Sequence, residues 1–415
     1  MNIDNAMKWG YNWDLGPFEV WDAIGVAVSV AKMEAEGFKV PDIVKRVINE
    51  GKGSFYLKEG GVRKYFDFAS GAYKAIEKEP TVIILPDLKD EGRVINENFG
   101  ATLYDIGDGV ACLEFHTKMN AVDDDIITMI TDSVDEVERN FKGLVVSGHA
   151  ENFSVGANLG LILMGAQMGN WTLLEDIVRK FQKANMRMKY AKKPVVAAPF
   201  GMALGGGCEI VLHAGRIQAF CELYMGLVEV GAGVIPAAGG CTQTVVRCLE
   251  NIPVTVETSR MPFIRRAFEL IGMAKVSFSA EEARRMGYLR DHDNISLSRD
   301  NLINDAKKVV IALSNTGYKQ PLPPDNLLLP GKSGAAMLRL GLYSWRLGGM
   351  LSEHDELIGQ KLSNILCGGE CNPKKPVTEQ RLLDLETEAF LSLCGMEKSQ
   401  ARMKSLLETG KPLRN

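Results

Sequence analysis

The 415-residue chain has no GxGxxG motif following a strand, so hydride transfer with a bound nicotinamide is not expected of these residues. No apolar run approaches 18 residues and no signal peptide opens the chain, which predicts no membrane span and a cytoplasmic location. Charge of one sign is also lacking. Forty-eight Lys and Arg face 52 Asp and Glu, which argues against a nucleic-acid binder. The eight cysteines are scattered in mostly apolar surroundings. Cys367 and Cys371 lie four apart without a second pair or histidines, so reduced thiols rather than a metal site are expected. Histidine is scarce. His116, His149, His292 and His354 have no matching partners, and His213, one helical turn from Glu209, reads as packing. Ser154 lacks a nucleophile elbow, and Cys208 has no histidine base near it in sequence, so acyl-enzyme chemistry is disfavoured. There is no internal repeat and no low-complexity tract.

What is present is enough apolar content, 46%, for a sizeable core and two or three domains. One stretch stands out, 193–243, reading KPVVAAPFGMALGGGCEIVLHAGRIQAFCELYMGLVEVGAGVIPAAGGCTQ. Pro194–Pro199 predicts one buried strand. Three glycines, Gly205, Gly206 and Gly207, then lead into an apolar segment of helical character. Glycines at a helix start let backbone N–H groups approach a ligand, and the helix dipole there favours developing negative charge. Glu209 follows just inside the helix, and Glu229 lies on the next loop between two valines. Carboxylates in apolar company are costly unless paired or functional. Local capping or ion pairing is one reading of each. The other is a proton-transfer pair with environments that separate their pKa values.

The rest of the chain divides by pattern. Residues 1–74 predict a helical unit, with one amphipathic helix from Pro17 towards Gly37 and a second at Pro41–Asn49. Residues 75–99, charged and carrying Pro80 and Pro86, read as a linker, with a short strand at Val82–Leu85. From Ala101 the pattern changes to a hairpin turning at Gly107–Gly109. A helix over Asn120–Asn140, a buried strand over Lys142–Ser147 and a helix over Trp171–Lys189 follow. The alternation argues for α/β structure. Ser279-Ala-Glu-Glu282 is a capping box opening a short helix. Helical patterns then occupy about 298–315, 333–347, 353–367 and 377–409, an extension whose expected role is packing or subunit contact.

Three segments, NFSVGANL at 152–159, KPVVAAPFGMALGGGCEI at 193–210 and MGLVEVGAGVIPAAGGCTQ at 225–243, together resemble the crotonase (enoyl-CoA hydratase/isomerase) family. They occur in the family's order and at its usual spacing. AMKWGYNWDLGPFEVWDAIG at 6–25 resembles the C-terminal helical domain of 3-hydroxyacyl-CoA dehydrogenases. The resemblances imply the C-terminal part of a bifunctional dehydrogenase–hydratase, with the NAD-binding portion and its catalytic His–Glu pair outside these residues. They imply a ββα-spiral crotonase core over 100–295, an all-helical N-terminal unit over 1–74 and a helical C-terminal extension over 296–415.

By family position, the Ala157 and Gly206 N–H groups hold a thioester carbonyl oxygen, Glu209 activates water, and Glu229 moves the proton at Cα. Ser154, Gly156, Leu161, Met164, Gly205, Gly233 and Pro236 are expected at the substrate. The family usually has Asp after the loop alanine. This chain has Asn158, which caps a helix equally well. The implied activity is reversible hydration of a trans-2-enoyl-CoA in β-oxidation or related acyl-CoA metabolism. Coenzyme A enters as part of the substrate, no separate cofactor or metal is required, and a homo-oligomer is expected. The alternatives are Δ3,Δ2-enoyl-CoA isomerisation and a non-catalytic acyl-CoA-binding or docking module.

Overall fold

A computed structural model describes every residue except 61, 78, 253–257 and 326. It divides into two compact units, Met1–Pro80 and Thr81–Asn415.

The first unit begins with helices α1 (Asn2–Tyr11), α2 (Pro17–Ile24), α3 (Val26–Ala35) and α4 (Asp42–Asn49). The single helix expected from Pro17 is two, because Gly25 adopts φ 100°, outside the helical region. Nor is this unit all helical. β1 (Tyr56–Glu59), β2 (Val62–Asp67) and β3 (Ala72–Ala75) form an antiparallel sheet. Its aromatic residues favour strands. Phe66 packs edge-on against Phe68 and Tyr73, next to Phe55 and the buried Val26, Val30, Val44 and Val47. Both Asp22 carboxyl oxygens accept main-chain N–H groups, from Phe55 and Tyr56, each at 2.7 Å, which ties α2 to β1.

Of the segment expected to be a linker, 75–99, residues 75–80 belong to the first unit and 81–99 to the second. α5 (Leu85–Asp90) and β4 (Val94–Glu97) lie there, with Leu85 fully buried and Val94 and Ile95 packed on the main core. Residues 82–84 form no strand; the chain enters α5 instead. β5 (Ala101–Asp105) and β6 (Val110–Phe115) make the expected hairpin. Next come α6 (Asp124–Asn140), β7 (Gly143–Val146), α7 (Leu159–Gln167), α8 (Trp171–Lys189), β8 (Val195–Ala197), β9 (Gly201–Leu204) and α9 (Gly206–His213). β10 (Arg216–Phe220), β11 (Leu223–Gly226), α10 (Gly240–Leu249), α11 (Met261–Gly272), α12 (Ala280–Met286) and β12 (Asn294–Ser296) complete the core.

Among the described residues the main sheet has seven strands in the order β12-β10-β8-β7-β6-β5-β4, antiparallel from β4 to β6 and parallel from β6 onward. A second, short layer runs beside it. β9 pairs in parallel with β11 and bridges Ser154 through Ala203. The chain therefore repeats strand, short strand, helix: β7, Ser154, α7; then β8, β9, α9; then β10, β11, α10. Every residue of β7 and β8 is buried, as expected of parallel strands covered on both faces.

The C-terminal extension contains α13 (Leu302–Asn315), α14 (Gly331–Leu347), α15 (Glu353–Leu366), α16 (Glu379–Cys394) and α17 (Glu397–Thr409). The helical pattern over 377–409 is broken in two at Gly395 and Met396. α13 packs on β7, β8 and β10, while α16 and α17 pack on α7, α8, α10 and the turn after β11. Among the described residues no helix is long and apolar enough to cross a membrane.

Candidate active site

Two loops meet where the short layer ends. The first follows Ser154, whose main-chain N–H donates to Met202 O at 3.0 Å and whose C=O accepts from Leu204 N at 2.9 Å. Its Oγ accepts from Gly156 N at 3.2 Å. Gly156 has φ 105° and Gly205 has φ 52°, so each loop needs glycine at its bend. The loops touch through the main chain. A Cβ on Gly156 would stand 3.3 Å from Gly206 N, and a Cβ on Gly206 would stand 3.3 Å from Ala157 N. The expected pair of N–H groups is thus adjacent, and among the described residues neither donates to a protein acceptor. Each opens a helix: Asn158 caps α7 by accepting from Leu161 N at 3.3 Å, and Gly206 is the first residue of α9. Helix starts concentrate unsatisfied donors and positive potential.

α9 carries Glu209 into the interior because its apolar neighbours go there. Ile210, Val211 and Leu212 are buried, contributing about 1.5–3 kcal/mol each. Glu209 is only 3% exposed. Its Oε1 accepts from Ala238 N and Gly240 N, both at 2.8 Å. Burial outweighs these donors and raises its pKa to about 7. Glu229 opens the 3-10 turn Glu229–Ala232. The residue as a whole is half-buried, yet its Oε2 is sealed from solvent and has no hydrogen-bond partner. Its Oε1 lies 3.1 Å from where a Cβ on Gly205 would stand, against the second N–H loop. Burial first, and the nearby charge of Glu209 second, push its pKa well above the usual carboxylate range. Two buried carboxyls of raised pKa, beside paired N–H donors, can exchange protons with a molecule whose carbonyl oxygen those donors hold.

The remaining expected residues fall in three groups. Ser154, Gly156 and Gly205 build the two loops. Pro236 is buried before α10, where its C=O lies 3.4 Å from Cys241 Sγ. Gly233 closes the Glu229 turn with φ 83° and packs on α17: its C=O accepts from Ser399 Oγ at 2.6 Å. Leu161 and Met164 are 43% and 50% exposed, and Ile162 and Leu163 between them are the buried pair. His213 is neutral: burial lowers its pKa to about 3, and Nδ1 contacts Glu209 O at 2.6 Å. Burial likewise drives the Cys208 thiol up.

One residue escaped the sequence reading. Glu386 on α16 is fully buried. Its Oε2 accepts from Gly239 N at 2.9 Å, and its Oε1 accepts from Thr242 N at 2.6 Å and Thr242 Oγ1 at 2.7 Å. Burial, then the charge of Glu209, raises its pKa to about 8. Its signal was available: in LLDLETEAF it shares the helical face of Leu382 and Phe390.

Comparison with known proteins agrees with this architecture. Residues 105–310 match the model of the enoyl-CoA hydratase/isomerase family, so this chain carries a crotonase-family domain. A Bacillus subtilis protein named "Probable 3-hydroxyacyl-CoA dehydrogenase" is 47% identical over 413 residues, covering 100% of this chain and 51% of that protein. A short-chain-enoyl-CoA hydratase of Clostridium acetobutylicum is 30% identical over 198 residues, covering 46% of this chain and 66% of that protein. The crystal structure of an enoyl-CoA hydratase from Bacillus halodurans superposes with a TM-score of 0.50 at 17% identity, covering 74% of this chain and 99% of that one, a likeness of fold. The chain spans about half the length of the curated relatives that it matches end to end.

Proposed function

We propose that this protein hydrates trans-2-enoyl-CoA thioesters reversibly to 3-hydroxyacyl-CoA. The observation that carries the reading is the meeting of two buried carboxyls, Glu209 and Glu229, with the N–H groups of Ala157 and Gly206 at one turn of the fold. The thioester oxygen accepts from both N–H groups. Glu209, ionised, takes a proton from water as the water oxygen bonds to Cβ. The π electrons of the Cα–Cβ bond move towards the carbonyl, and the oxygen held by the two donors becomes an enolate oxygen. Glu229, protonated, gives its proton to Cα, and the carbonyl reforms. One water is consumed per turnover: its OH bonds to Cβ, its other proton rests on Glu209, and the pair resets when Glu209 releases that proton to solvent and Glu229 takes one up. Each main-chain donor contributes roughly 3–4 kcal/mol to the charged state, the usual loss when one is removed.

Isomerisation of a Δ3-enoyl-CoA needs one base. The presence of two buried carboxyls, both with raised pKa, favours hydration. The longer relatives fit the same reading, because a 3-hydroxyacyl-CoA is the substrate that the name of the Bacillus subtilis relative denotes. The test is turnover of crotonyl-CoA by the purified chain, followed by loss of the enoyl-thioester absorbance, with the 3-hydroxy product identified by mass. Tight binding of the thioester without turnover would leave a binding module.

A further inference from the structure

The turn that holds Glu209 is held in turn by the C-terminal extension. The N–H groups of Ala238 and Gly240 donate to Glu209, and those of Gly239 and Thr242 donate to Glu386. Two carboxyls from distant parts of the chain thus take alternate donors of one turn at the start of α10. The carbonyls of the same turn are fixed by α8: Gln182 Nε2 donates to Ala237 O at 2.8 Å, and Asn185 Nδ2 to Ala238 O at 2.9 Å. Gln182 Nε2 also reaches Leu383 O and Thr387 Oγ1 of α16, both at 3.0 Å. Gly239 packs closely on α9, since a Cβ there would come within 2.7 Å of His213 Nε2. Glu386 and Glu209 thus share one turn as the source of their main-chain donors.

We propose that Glu386 is a positioning residue for the Glu209–Glu229 pair, so that the C-terminal extension completes the site rather than only covering it. The proposal rests on the hydration reading for its rate effects and on geometry for the rest. Glu386 is too deeply bonded to touch substrate; it acts through the Ala238–Thr242 turn and through its charge.

The groups around it define what that charge meets. The cluster of α9, the Glu229 turn and α10 supplies Glu209, His213, Glu229 and Cys241. α8 supplies Lys189, engaged by Glu379, and Arg179, engaged by Asp384. α15 supplies Lys361, bonded to Ser392, and α17 supplies Arg402, engaged by Asp355. α7 carries no titratable side chain. α10 also supplies Arg247, whose guanidinium donates to Tyr288 O and Leu212 O. These cations are bonded elsewhere, and ionised Glu386 opposes the ionisation of Glu229.

The experiment uses the full chain as Glu386→Gln, Glu386→Asp and Thr242→Val. Carboxyl titration is followed by NMR with carbon-13-labelled glutamate, the Glu229 signal being assigned by its loss in Glu229→Gln. The Glu229 midpoint should fall by about half a unit or more in Glu386→Gln and stay near the parent value in Glu386→Asp. Thr242→Val, a milder change should Glu386→Gln fail to fold, weakens the support of ionised Glu386 and should move the midpoint the same way, less far. With crotonyl-CoA, kcat of Glu386→Gln should fall at least about tenfold while KM changes less than about threefold. A folded variant with an unmoved midpoint overturns the proposal, even where its rate falls, since that would make Glu386 a structural cap alone. The titration needs no turnover, so an inactive parent would sink the hydration reading and still leave this inference testable.

Discussion

Gly205 lies directly beneath Glu229: a Cβ on Gly205 would stand 3.1 Å from Glu229 Oε1 and 3.6 Å from its Cδ. The same glycine has φ 52°, a conformation that L side chains rarely adopt, and its N–H donates to Gly226 O at 2.9 Å. One residue thus sets both the bend into the Gly206 N–H and the seat of the second carboxyl.

Gly205→Ala should accordingly fail in two ways. The left-handed backbone costs about 1 kcal/mol or more, and the methyl group pushes Glu229 from its seat. Turnover of crotonyl-CoA should fall by about tenfold or more, with a lowered thermal midpoint. Near-parental kcat in a folded Gly205→Ala protein would show that Glu229 is not used where it sits.

The clamp from α17 is a separate expectation. Ser399 Oγ donates to Gly233 O at 2.6 Å and lies 2.9 Å from His354 Nε2, linking the end of the Glu229 turn to α15 and α17. Ser399→Ala leaves a buried carbonyl and a buried ring nitrogen without their partner, a loss of about 1–3 kcal/mol. Denaturant unfolding should show that loss, and kcat should fall more than KM rises. An unchanged unfolding midpoint would mean that the clamp contributes nothing.

These contacts also mark where sequence reading succeeds and where it stops. α8 was legible to its bounds, Trp171–Lys189, because its apolar residues recur at helical spacing after a capping Asn170. The two N–H loops were legible through the segments that resemble the crotonase family, and the glycines that positive φ favours, Gly156 and Gly205, stand at their bends. The sheet of the first unit was hidden by charge: Lys58, Arg63 and Lys64 lie in its strands, so alternation is weak. The segment 75–99 looked like a linker because proline and charge mask an edge strand with only two residues packed on the core, Val94 and Ile95. Glu386 depends on a turn 144 residues away in sequence, and no local pattern names that partner.

Activity should depend on pH with a defined sign. Glu209 must be ionised to take the proton of water, and burial sets its pKa at about 7. Glu229 must be protonated, and its pKa is raised well above the usual range by burial and by the charge of Glu209. kcat/KM should therefore climb as pH rises through about 7 and decline at higher pH as Glu229 loses its proton. The two limbs belong to the coupled pair rather than to either residue alone. Activity that is flat from pH 5 to 7, about two units below and up to the Glu209 midpoint, would remove it as the base.

Stability should show the same carboxyls from the other side. Glu386 titrates near 8 in the fold against 4.5 for an unburied glutamate. A folded-state pKa above the unfolded one gives stability that is complete below the unfolded value and is lost as pH rises through the folded value. Between about 4.5 and 8 the parent should thus lose stability relative to Glu386→Gln, which has no proton to release. Thermal midpoints of the two proteins across that window would check it. A difference that stays constant with pH would mean that the buried carboxyl titrates elsewhere.

The function rests on the two carboxyls acting in one transition state. Gln keeps the shape and hydrogen bonding of Glu but cannot exchange a proton usefully. Glu209→Gln and Glu229→Gln should each lower hydration by about 100-fold or more, the range of general acid–base groups. The two should separate in a second assay. Glu229→Gln should abolish exchange of the Cα proton with solvent, because Glu229 serves that carbon. Glu209→Gln should spare much of any isomerase activity, which needs no activated water. The double variant should lose far less than the product of the single losses, since neither group works without its partner. Additive losses would instead place the carboxyls in independent steps. Retention of hydration by either single variant would hand the chemistry to another residue and return Glu209 or Glu229 to the role of a buried cap.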